Sequence, residues 1–207
     1  MSKELTLRIL SSIIILPITF LIIKIGSFFF AYFLIVLFFF TIYEWNKLSE
    51  NYNYKKLGIL FLMIAFISAF FLREANLFFF IFTVLICIAS DIGGYSFGKI
   101  LKGPKITKIS PNKTYAGMLG SFITSYLVCS LFIIEFTNFE LDVNLSLIII
   151  FLSFVCQMGD LIISFFKRIK KVKNTSDLIP GHGGLLDRID GILFAIPVAF
   201  LIYKYLI

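Results

Sequence analysis

Residues 77–97 read LFFFIFTVLICIASDIGGYSF, a predominantly apolar run that contains one carboxylate, Asp91. A helix needs about 20 such residues to cross the hydrocarbon core of a bilayer, so this run has the length of a transmembrane helix. Six other runs along the chain have a similar length and apolar content. We therefore predict an all-α polytopic integral membrane protein with about seven transmembrane helices, at 7–23, 27–43, 57–72, 77–97, 116–136, 145–166 and 185–206.

The composition of the whole chain agrees with this prediction and excludes several other classes. Of its 207 residues, 59% are hydrophobic and 15% are charged, against about 45–50% and about 25% in soluble domains. The same excess of apolar residues excludes an intrinsically disordered chain. The three cysteines lie inside apolar runs, which indicates small buried side chains rather than a secreted disulfide scaffold. No internal repeat or linker stands out, so residues 1–207 are predicted to form a single integral membrane domain.

The positive charges predict the orientation of the helices. With a cytoplasmic N-terminus, 16 of the 19 Lys and Arg residues fall on cytoplasmic segments, and only Lys24, Arg73 and Lys204 lie outside. This asymmetry follows the positive-inside rule, so we predict an N-terminus in the cytoplasm and, after seven spans, a C-terminus outside. Cations in short loops report membrane orientation, and no nucleic-acid partner is expected. Only Lys24-Ile25-Gly26 separates the first two spans, which predicts a tight helical hairpin.

Four aspartates lie in or at the edge of the predicted spans, Asp91, Asp160, Asp187 and Asp190. A carboxylate at the bilayer centre costs about 2.5–3.5 kcal/mol, so it normally faces a partner or a water-filled cavity. Asp91 and Asp160 each lie six residues before the cytoplasmic end of their span, which places them roughly 9 Å below the boundary. Asp187 and Asp190 enter from the same side, so all four are predicted to share one layer.

Spacing along the helices indicates what this layer binds. Asp187 and Asp190 share a helix face, while Asp160, Ser164 and Lys167 follow each other along one face of the preceding span. Acidic oxygens on facing helices suit a hard cation such as Mg²⁺, which usually keeps waters and substrate phosphates as its other ligands. We therefore predict a magnesium site that uses the aspartates at 160, 187 and 190.

A structural alternative remains open for these carboxylates. The aspartates of the last two spans would then form intramembrane ion pairs, and their candidate partners are Lys167, Arg168 and Arg188. For Asp91 the alternative has further support, because the glycines at 93, 94 and 98 would allow close helix packing without any other role.

Two basic loops lie next to the carboxylate layer in the predicted topology. Residues 98–115 carry five lysines together with hydroxyl and proline residues, which is compatible with phosphate binding. By composition alone, a plain juxtamembrane loop attracted to anionic lipid is the more typical explanation. Residues 167–182 carry five more cations and lead into a glycine-rich turn at 180–184, whose backbone N–H groups at a helix start favour anions. His182 by itself is more typical of a turn residue than of a catalyst.

These segments together resemble one family, the phosphatidate cytidylyltransferases, also called CDP-diacylglycerol synthases. The C-terminal resemblance runs from SFFKR at 164–168 to PGHGGLLDRID at 180–190, and GDL at 159–161 is similar as well. Two further segments are similar to the family, SDIGGY at 90–95 and ISPNKTY at 109–115. A run of the form HGGxxDRxD at this spacing is highly specific, whereas the first three spans are generic.

The resemblance implies a nucleotidyltransferase of phospholipid biosynthesis that converts CTP and phosphatidic acid into CDP-diacylglycerol and pyrophosphate. It also implies a Mg²⁺ cofactor, a bacterial inner-membrane location with the active site facing the cytoplasm, and a homodimer as an assembly. The predicted catalytic residues are Asp160, Asp187, Asp190, Lys167 and Arg168, and the three aspartates among them are the predicted metal ligands. The predicted substrate-binding residues are Ser110, Lys113, Thr114, Ser164, His182, Gly183, Gly184, Arg188 and Asp91.

Three positions depart from the residues that are usual in the family. Ala116 and Ile163 stand where the family usually has glutamate, and Asn174 stands where an aspartate is expected. Asparagine keeps an acceptor oxygen but lacks the charge, so no metal or proton-transfer role is expected at 174. None of the three removes an aspartate of the predicted magnesium site, so we expect a working enzyme.

Two other functions stay open on the sequence. Acyl-chain contacts are apolar and diffuse, so the same motifs would serve a transferase that acts on another lipid phosphate, such as an isoprenoid or ether lipid. A cation- or proton-coupled transporter also places carboxylates inside the membrane. The acidic residues are predicted to lie in one cytoplasmic layer with none deeper toward the outside, which argues against a path through the membrane.

Overall fold

The computed structural model describes the backbone of residues 3–49, 52–107, 110, 113–136, 142–179 and 183–206, and their side chains from position 13 onward apart from that of Tyr52. Over these residues the chain forms seven α-helices, and its only β-structure is two isolated bridges. The helices are α1 Lys3–Ile25, α2 Ser27–Leu48, α3 Tyr52–Ala75, α4 Leu77–Leu101, α5 Tyr115–Phe136, α6 Val143–Ile169 and α7 Leu186–Leu206.

These helices confirm the predicted all-α polytopic membrane fold. Among the described residues, the six helices α2 to α7 are long and apolar enough to cross a membrane. In α1, the part with described side chains, Ile13–Ile25, is a shorter apolar helix. The first of the seven spans therefore stays a prediction, as does the orientation of the termini. Most helices extend a few residues beyond the predicted apolar runs, because helical hydrogen bonding continues past the last apolar residue.

The chain divides into two compact units. The first comprises Met1–Leu77 and Phe166–Ile189, and the second comprises Phe78–Phe165 and Asp190–Ile207. All three boundaries therefore fall within helices, in the first turn of α4, in α6 and in α7, rather than in loops. The single-domain organisation of residues 1–207 stays a prediction.

The first unit contains the predicted hairpin of α1 and α2. Gly26, with a positive φ of 74°, separates the two helices. Arg73 of α3 donates hydrogen bonds of 2.9 Å to the carbonyl oxygens of Ile23 and Lys24 in the last turn of α1. Glu74 accepts a hydrogen bond of 2.9 Å from the first N–H of α2. These bonds satisfy backbone groups that have no partner within their own helix, so α3 closes the hairpin.

The other end of α2 packs against the end of α6, also within the first unit. The ring of Trp45 meets that of Phe166 edge-on, with the ring centroids 4.8 Å apart. The indole N–H of Trp45 donates to the carbonyl oxygen of Lys55 in α3 at 3.2 Å. Gly58 lies so close to the indole that a side chain at 58 would overlap it. Trp45 therefore anchors this end of α2 to both α3 and α6.

In the second unit, α4 and α5 approach closely through glycines. A Cβ atom at Gly93 would lie 2.5 Å from the carbonyl oxygen of Gly120, and one at Gly117 would lie 2.7 Å from that of Gly94. Small residues at both positions allow the two backbones to approach. The glycines beside Asp91 thus serve helix packing, as the structural alternative for this segment anticipates.

The helices α6 and α7 also pack closely within the second unit. Gly159 lies against the carbonyl oxygen of Asp190, and Gly191 lies against Cys156. Asp160 therefore follows directly after a point of close helix contact. All three cysteines of the chain are buried and free, which confirms their prediction as small buried side chains.

Candidate functional site

The first unit holds a group of four side chains, Glu44, Lys167, Thr175 and Asp187, which we name the Asp187 cluster. Lys167 near the end of α6 donates to Oδ1 of Asp187 at 2.8 Å. The other oxygen of Asp187, Oδ2, accepts hydrogen bonds from the Thr175 N–H at 2.8 Å, the Thr175 hydroxyl at 3.1 Å and the Gly184 N–H at 3.1 Å. The side chains of Lys167 and Asp187 are 11% and 8% exposed, so the ion pair is shielded from water.

The contacts of Asp187 organise the start of α7. Asp187 lies in the first turn of this helix, and its bond to the Gly184 N–H satisfies a donor that the helix itself leaves unpaired. Its pairing with Lys167 is a contact that the ion-pair alternative predicts. The predicted roles of Asp187 in catalysis and in metal binding stay predictions.

Glu44 is the member of this cluster that the sequence analysis misses. Its side chain has 0% exposure and accepts hydrogen bonds from the hydroxyls of Thr175 and Ser176 at 3.1 and 2.5 Å. It also accepts bonds from the N–H groups of Leu185 and Leu186 at 2.9 and 2.6 Å. The predicted second span ends one residue before Glu44 and so leaves it in a loop. The available signal is an acidic residue between a tyrosine and a tryptophan at the end of an apolar run.

Of the glycine-rich turn before α7, the structure describes Gly183 and Gly184. Gly183 has a positive φ of 89°, and its N–H and C=O groups pair with Ile179 at 3.1 and 2.8 Å. Gly184 lies so close to Thr175 and Glu44 that a side chain at 184 would overlap both. The N–H groups of both glycines are bonded within the protein. Phosphate binding by this turn stays a prediction.

The second unit holds the Asp160 cluster, which consists of Lys113, Asp160 and Ser164. The ammonium group of Lys113 forms an ion pair with Oδ2 of Asp160, and the Ser164 hydroxyl donates to Oδ1 at 3.3 Å. The latter bond confirms that Asp160 and Ser164 share a face of α6. The side chains of Lys113 and Asp160 are 24% and 32% exposed. The pair is therefore accessible to a further ligand.

Backbone hydrogen bonds hold Lys113 in place just before α5. Its C=O accepts from the Ile106 N–H at 2.9 Å, and its N–H donates to the carbonyl oxygen of Ser110 at 3.0 Å. Ser110 is itself buried. The Thr114 hydroxyl oxygen accepts from the Gly117 N–H at 3.1 Å, as the cap of a helix start does. Specific bonds, and not only charge, thus determine the conformation of the described parts of this loop.

Two more of the predicted carboxylates lie in the second unit. Asp190 is 8% exposed and accepts a hydrogen bond from the Gly191 N–H at 2.9 Å. Asp91 is exposed on α4 and interacts electrostatically with Asp160 and Lys113. Lys113 therefore pairs with Asp160 and also interacts electrostatically with Asp91.

The remaining predicted site residues lie at the surface or outside the described residues. Arg168 is exposed, and its Nη1 donates to the carbonyl oxygen of Val172 at 3.4 Å. Arg188 is exposed in the first turn of α7. His182 lies outside the residues that the structure describes.

The three departures from the family's usual residues occupy ordinary structural positions. Ile163 is 4% exposed, and an apolar side chain is favoured there because a buried charge would need a partner. Asn174 is exposed, and its side chain lies against Gly183. Ala116 is half-buried in the first turn of α5.

The donor chemistry of these clusters is compatible with a magnesium ion. Within the described residues, no three Asp, Glu, His or Cys side chains form a group that would hold a metal ion by itself. Magnesium does not need such a group, because it usually binds through one or two carboxylates and keeps waters and substrate phosphates as further ligands. Asp160 is partly exposed and fits this small donor set. Asp187 could serve as such a ligand only after the bond between Lys167 and its Oδ1 is broken.

Comparison with known proteins identifies the family. Residues 49–206 match the model of the cytidylyltransferase family. Curated relatives named phosphatidate cytidylyltransferase come from Staphylococcus saprophyticus, Staphylococcus epidermidis and Staphylococcus haemolyticus, and they are 36%, 34% and 33% identical over 167 residues. Each match covers 77% of this chain and 64% of the relative, so the chain spans less than two thirds of the length of these relatives. The chain belongs to the cytidylyltransferase family.

Proposed function

We propose that this chain carries the membrane-embedded site of a phosphatidate cytidylyltransferase, which converts CTP and phosphatidic acid into CDP-diacylglycerol and pyrophosphate. The observation that carries this proposal is the pairing of Asp160 with Lys113 and of Asp187 with Lys167. These four residues lie in the segments that resemble the family, and family membership and the names of the relatives give further support. The resemblance extends the proposal to a homodimer in the bacterial inner membrane.

In the proposed reaction, a phosphate oxygen of phosphatidic acid attacks the α-phosphorus of CTP. A bond forms between these two atoms, the bond from the α-phosphorus to the bridging oxygen breaks, and pyrophosphate leaves with the electron pair. A phosphate monoester has a second pKa of about 6, so the attacking group is already largely ionised near neutral pH. The reaction therefore needs little base catalysis, and we assign His182 to the positioning of the turn or of the substrate.

The chain's cations carry most of the proposed catalysis. Both substrates are anions, and phosphoryl-type transfer depends mainly on positioning and on stabilisation of negative charge. Lys113 and Lys167 are held by carboxylates, so their ammonium groups are oriented before a phosphate arrives. Arg168 and Arg188 are exposed and are proposed to neutralise the outer phosphates.

A magnesium ion is proposed as the cofactor, with Asp160, Asp187 and Asp190 as its protein ligands. When bound, it supplies positive charge to the triphosphate and to the leaving pyrophosphate. The chain's contribution is to orient the ligands. Ser164 donates to Oδ1 of Asp160. The other oxygen, Oδ2, pairs with Lys113 and is the one proposed to exchange this partner for the metal ion.

The proposal is tested by the release of pyrophosphate from the purified protein in lipid. We expect release that depends on both CTP and phosphatidic acid, with labelled cytidine recovered in the lipid fraction. The matched reactions use the other three nucleotides and, in place of phosphatidic acid, an isoprenoid phosphate or an ether-lipid phosphate. Activity with one of those lipids alone would replace the proposed substrate. Absence of pyrophosphate with every lipid, together with cation flux into vesicles, would favour the transporter.

The cytoplasmic orientation of the site gives a separate prediction. Cysteines introduced at Lys105 and Lys170 are expected to react with an impermeant reagent only from the cytoplasmic side, and one at Glu140 only from the outside. The reason is the unequal distribution of Lys and Arg between the two sides of the membrane. The three natural cysteines are buried and should add little background. Reaction of positions 105 and 140 from the same side would contradict the seven-span topology.

A further inference from the structure

We propose that Glu44 is a positioning residue of the Asp187 cluster, although it precedes the residues that match the family, 49–206. Glu44 lies in α2, 131 residues before Thr175 in the chain. It acts through Thr175 and Asp187 and does not itself contact a substrate. The effect on turnover rests on the proposed function, whereas the structural effect can be measured without turnover.

The burial of Glu44 supports this role. Burying a carboxyl group is costly unless its oxygens find hydrogen-bond donors, and this side chain has no exposure at all. Among the described residues, no lysine or arginine forms an ion pair with it. Within the described residues, the Glu44 side chain instead accepts four hydrogen bonds, and all four donors lie in residues 175–186. Simple packing of α2 would not require this group, so its role is to hold that segment.

Glu44 and Asp187 also accept hydrogen bonds from the same segment of the chain. The Thr175 hydroxyl lies 3.1 Å from Oε2 of Glu44 and 3.1 Å from Oδ2 of Asp187. A hydroxyl carries one hydrogen, so Thr175 can donate to only one of the two at a time. Three consecutive backbone N–H groups are also divided between the two carboxylates. The Gly184 N–H donates to Asp187, and the N–H groups of Leu185 and Leu186 donate to Glu44. A displacement of Glu44 therefore changes what Asp187 accepts.

The position of Glu44 in α2 further links it to Lys167. The next residue, Trp45, packs on Phe166, which directly precedes Lys167. One turn of α2 thus contacts the helix that carries Lys167 and the segment that orients Asp187. The 2.8 Å bond between Lys167 and Asp187 therefore depends on this turn.

The test replaces Glu44 with glutamine in the full chain, reconstituted in lipid without substrate. Glu44→Gln keeps the size of the side chain but offers one acceptor oxygen and puts an NH₂ group against donors. Hydrogen exchange is measured at the N–H groups of Thr175 and Gly184, which donate to Asp187 and not to Glu44. We expect exchange there to be faster by about tenfold, as the loss of one hydrogen bond produces. Unchanged exchange at both positions would overturn the proposal.

Thr41→Val is the matched control. Thr41 is fully buried in the same helix, and its hydroxyl donates to the Phe38 carbonyl oxygen of that helix at 2.9 Å. Valine has the same shape, so we expect unchanged exchange at Thr175 and Gly184 and unchanged turnover. Equal acceleration in both variants would mean general loosening of α2 and would also overturn the proposal.

Two further measurements complete the test. If Glu44→Gln does not fold, Thr175→Val is the variant to use, because it removes the shared hydroxyl. We expect faster exchange at the Gly184 N–H in that variant, and unchanged exchange there would overturn the proposal.

In the folded Glu44→Gln protein, kcat per folded molecule should fall by about 10²-fold, the effect that a small misplacement can have, with a smaller change in KM. A raised KM with normal kcat would exclude positioning. If wild-type protein releases no pyrophosphate, the proposed function fails, while the exchange result still decides the role of Glu44.

Discussion

Replacing Asp187 with asparagine is expected to lower kcat/KM by on the order of 10³-fold or more, because it removes a charge that the proposed site uses to hold Lys167 and a metal-bridged phosphate. Both oxygens of Asp187 accept hydrogen bonds. Asparagine offers one oxygen, and its NH₂ group would face either the lysine ammonium or two backbone N–H groups. The measurement is kcat/KM for pyrophosphate release, corrected for the fraction of folded protein.

A carboxylate of the loop that precedes α7 provides the control for this prediction. Asp177 is exposed, and Asp177→Asn removes the same charge without touching the Asp187 cluster. We expect that variant to keep its kcat/KM within about twofold of wild type, since surface changes are usually worth less than about 0.5 kcal/mol. If Asp187→Asn retains activity within about tenfold, Asp187 is a structural residue and leaves the site.

Asp160→Asn separates the catalytic effect from the structural one. We expect a similar loss of kcat/KM, but little loss of stability, because Asp160 is partly exposed and the amide oxygen can still accept from Ser164. Asp187→Asn should in addition lower the free energy of unfolding by about 1–3 kcal/mol, because it leaves buried donors unpaired. Thermal unfolding of the two variants measures this difference.

Replacing Lys113 with alanine is expected to cost about 2–4 kcal/mol of transition-state stabilisation. Lys113 is held by backbone bonds next to Asp160 and is only 24% exposed, so salt screens its charge less than that of a surface lysine. The loss should therefore persist at high salt. It is measured as kcat/KM at low and high ionic strength.

Other lysines of the basic loops provide the controls for Lys113. Lys105 lies in the same loop and is exposed, so Lys105→Ala should cost little at any salt concentration. The double change of Lys170 and Lys171 to alanine should cost more than that but far less than Lys113→Ala, and raised salt should mimic it, because such charges act through screened attraction to the membrane. Equal losses for Lys113→Ala and the double variant, fading together at high salt, would mean that Lys113 is only an orienting charge.

The helices and the contacts within them were predictable from the amino-acid sequence. Runs of apolar residues predicted the positions of α2 to α7, and Lys24-Ile25-Gly26 predicted the turn between α1 and α2. The contact between Asp160 and Ser164 was also predictable, because residues four apart on a helix are always neighbours. Helix formation and membrane insertion depend on hydrogen bonds and apolar surface within one segment, which a single stretch of sequence contains.

The partners of the buried charges, in contrast, depend on how distant helices pack together. Lys167 was one of several cations available to Asp187, and nothing in the sequence distinguished Lys113 from its neighbours as the partner of Asp160. Glu44 is the clearest case, since its four donors lie 131 to 142 residues away in the chain. A buried carboxyl group is stabilised by whichever donors the packing of distant helices brings to it, and that packing is not written in the local pattern around residue 44.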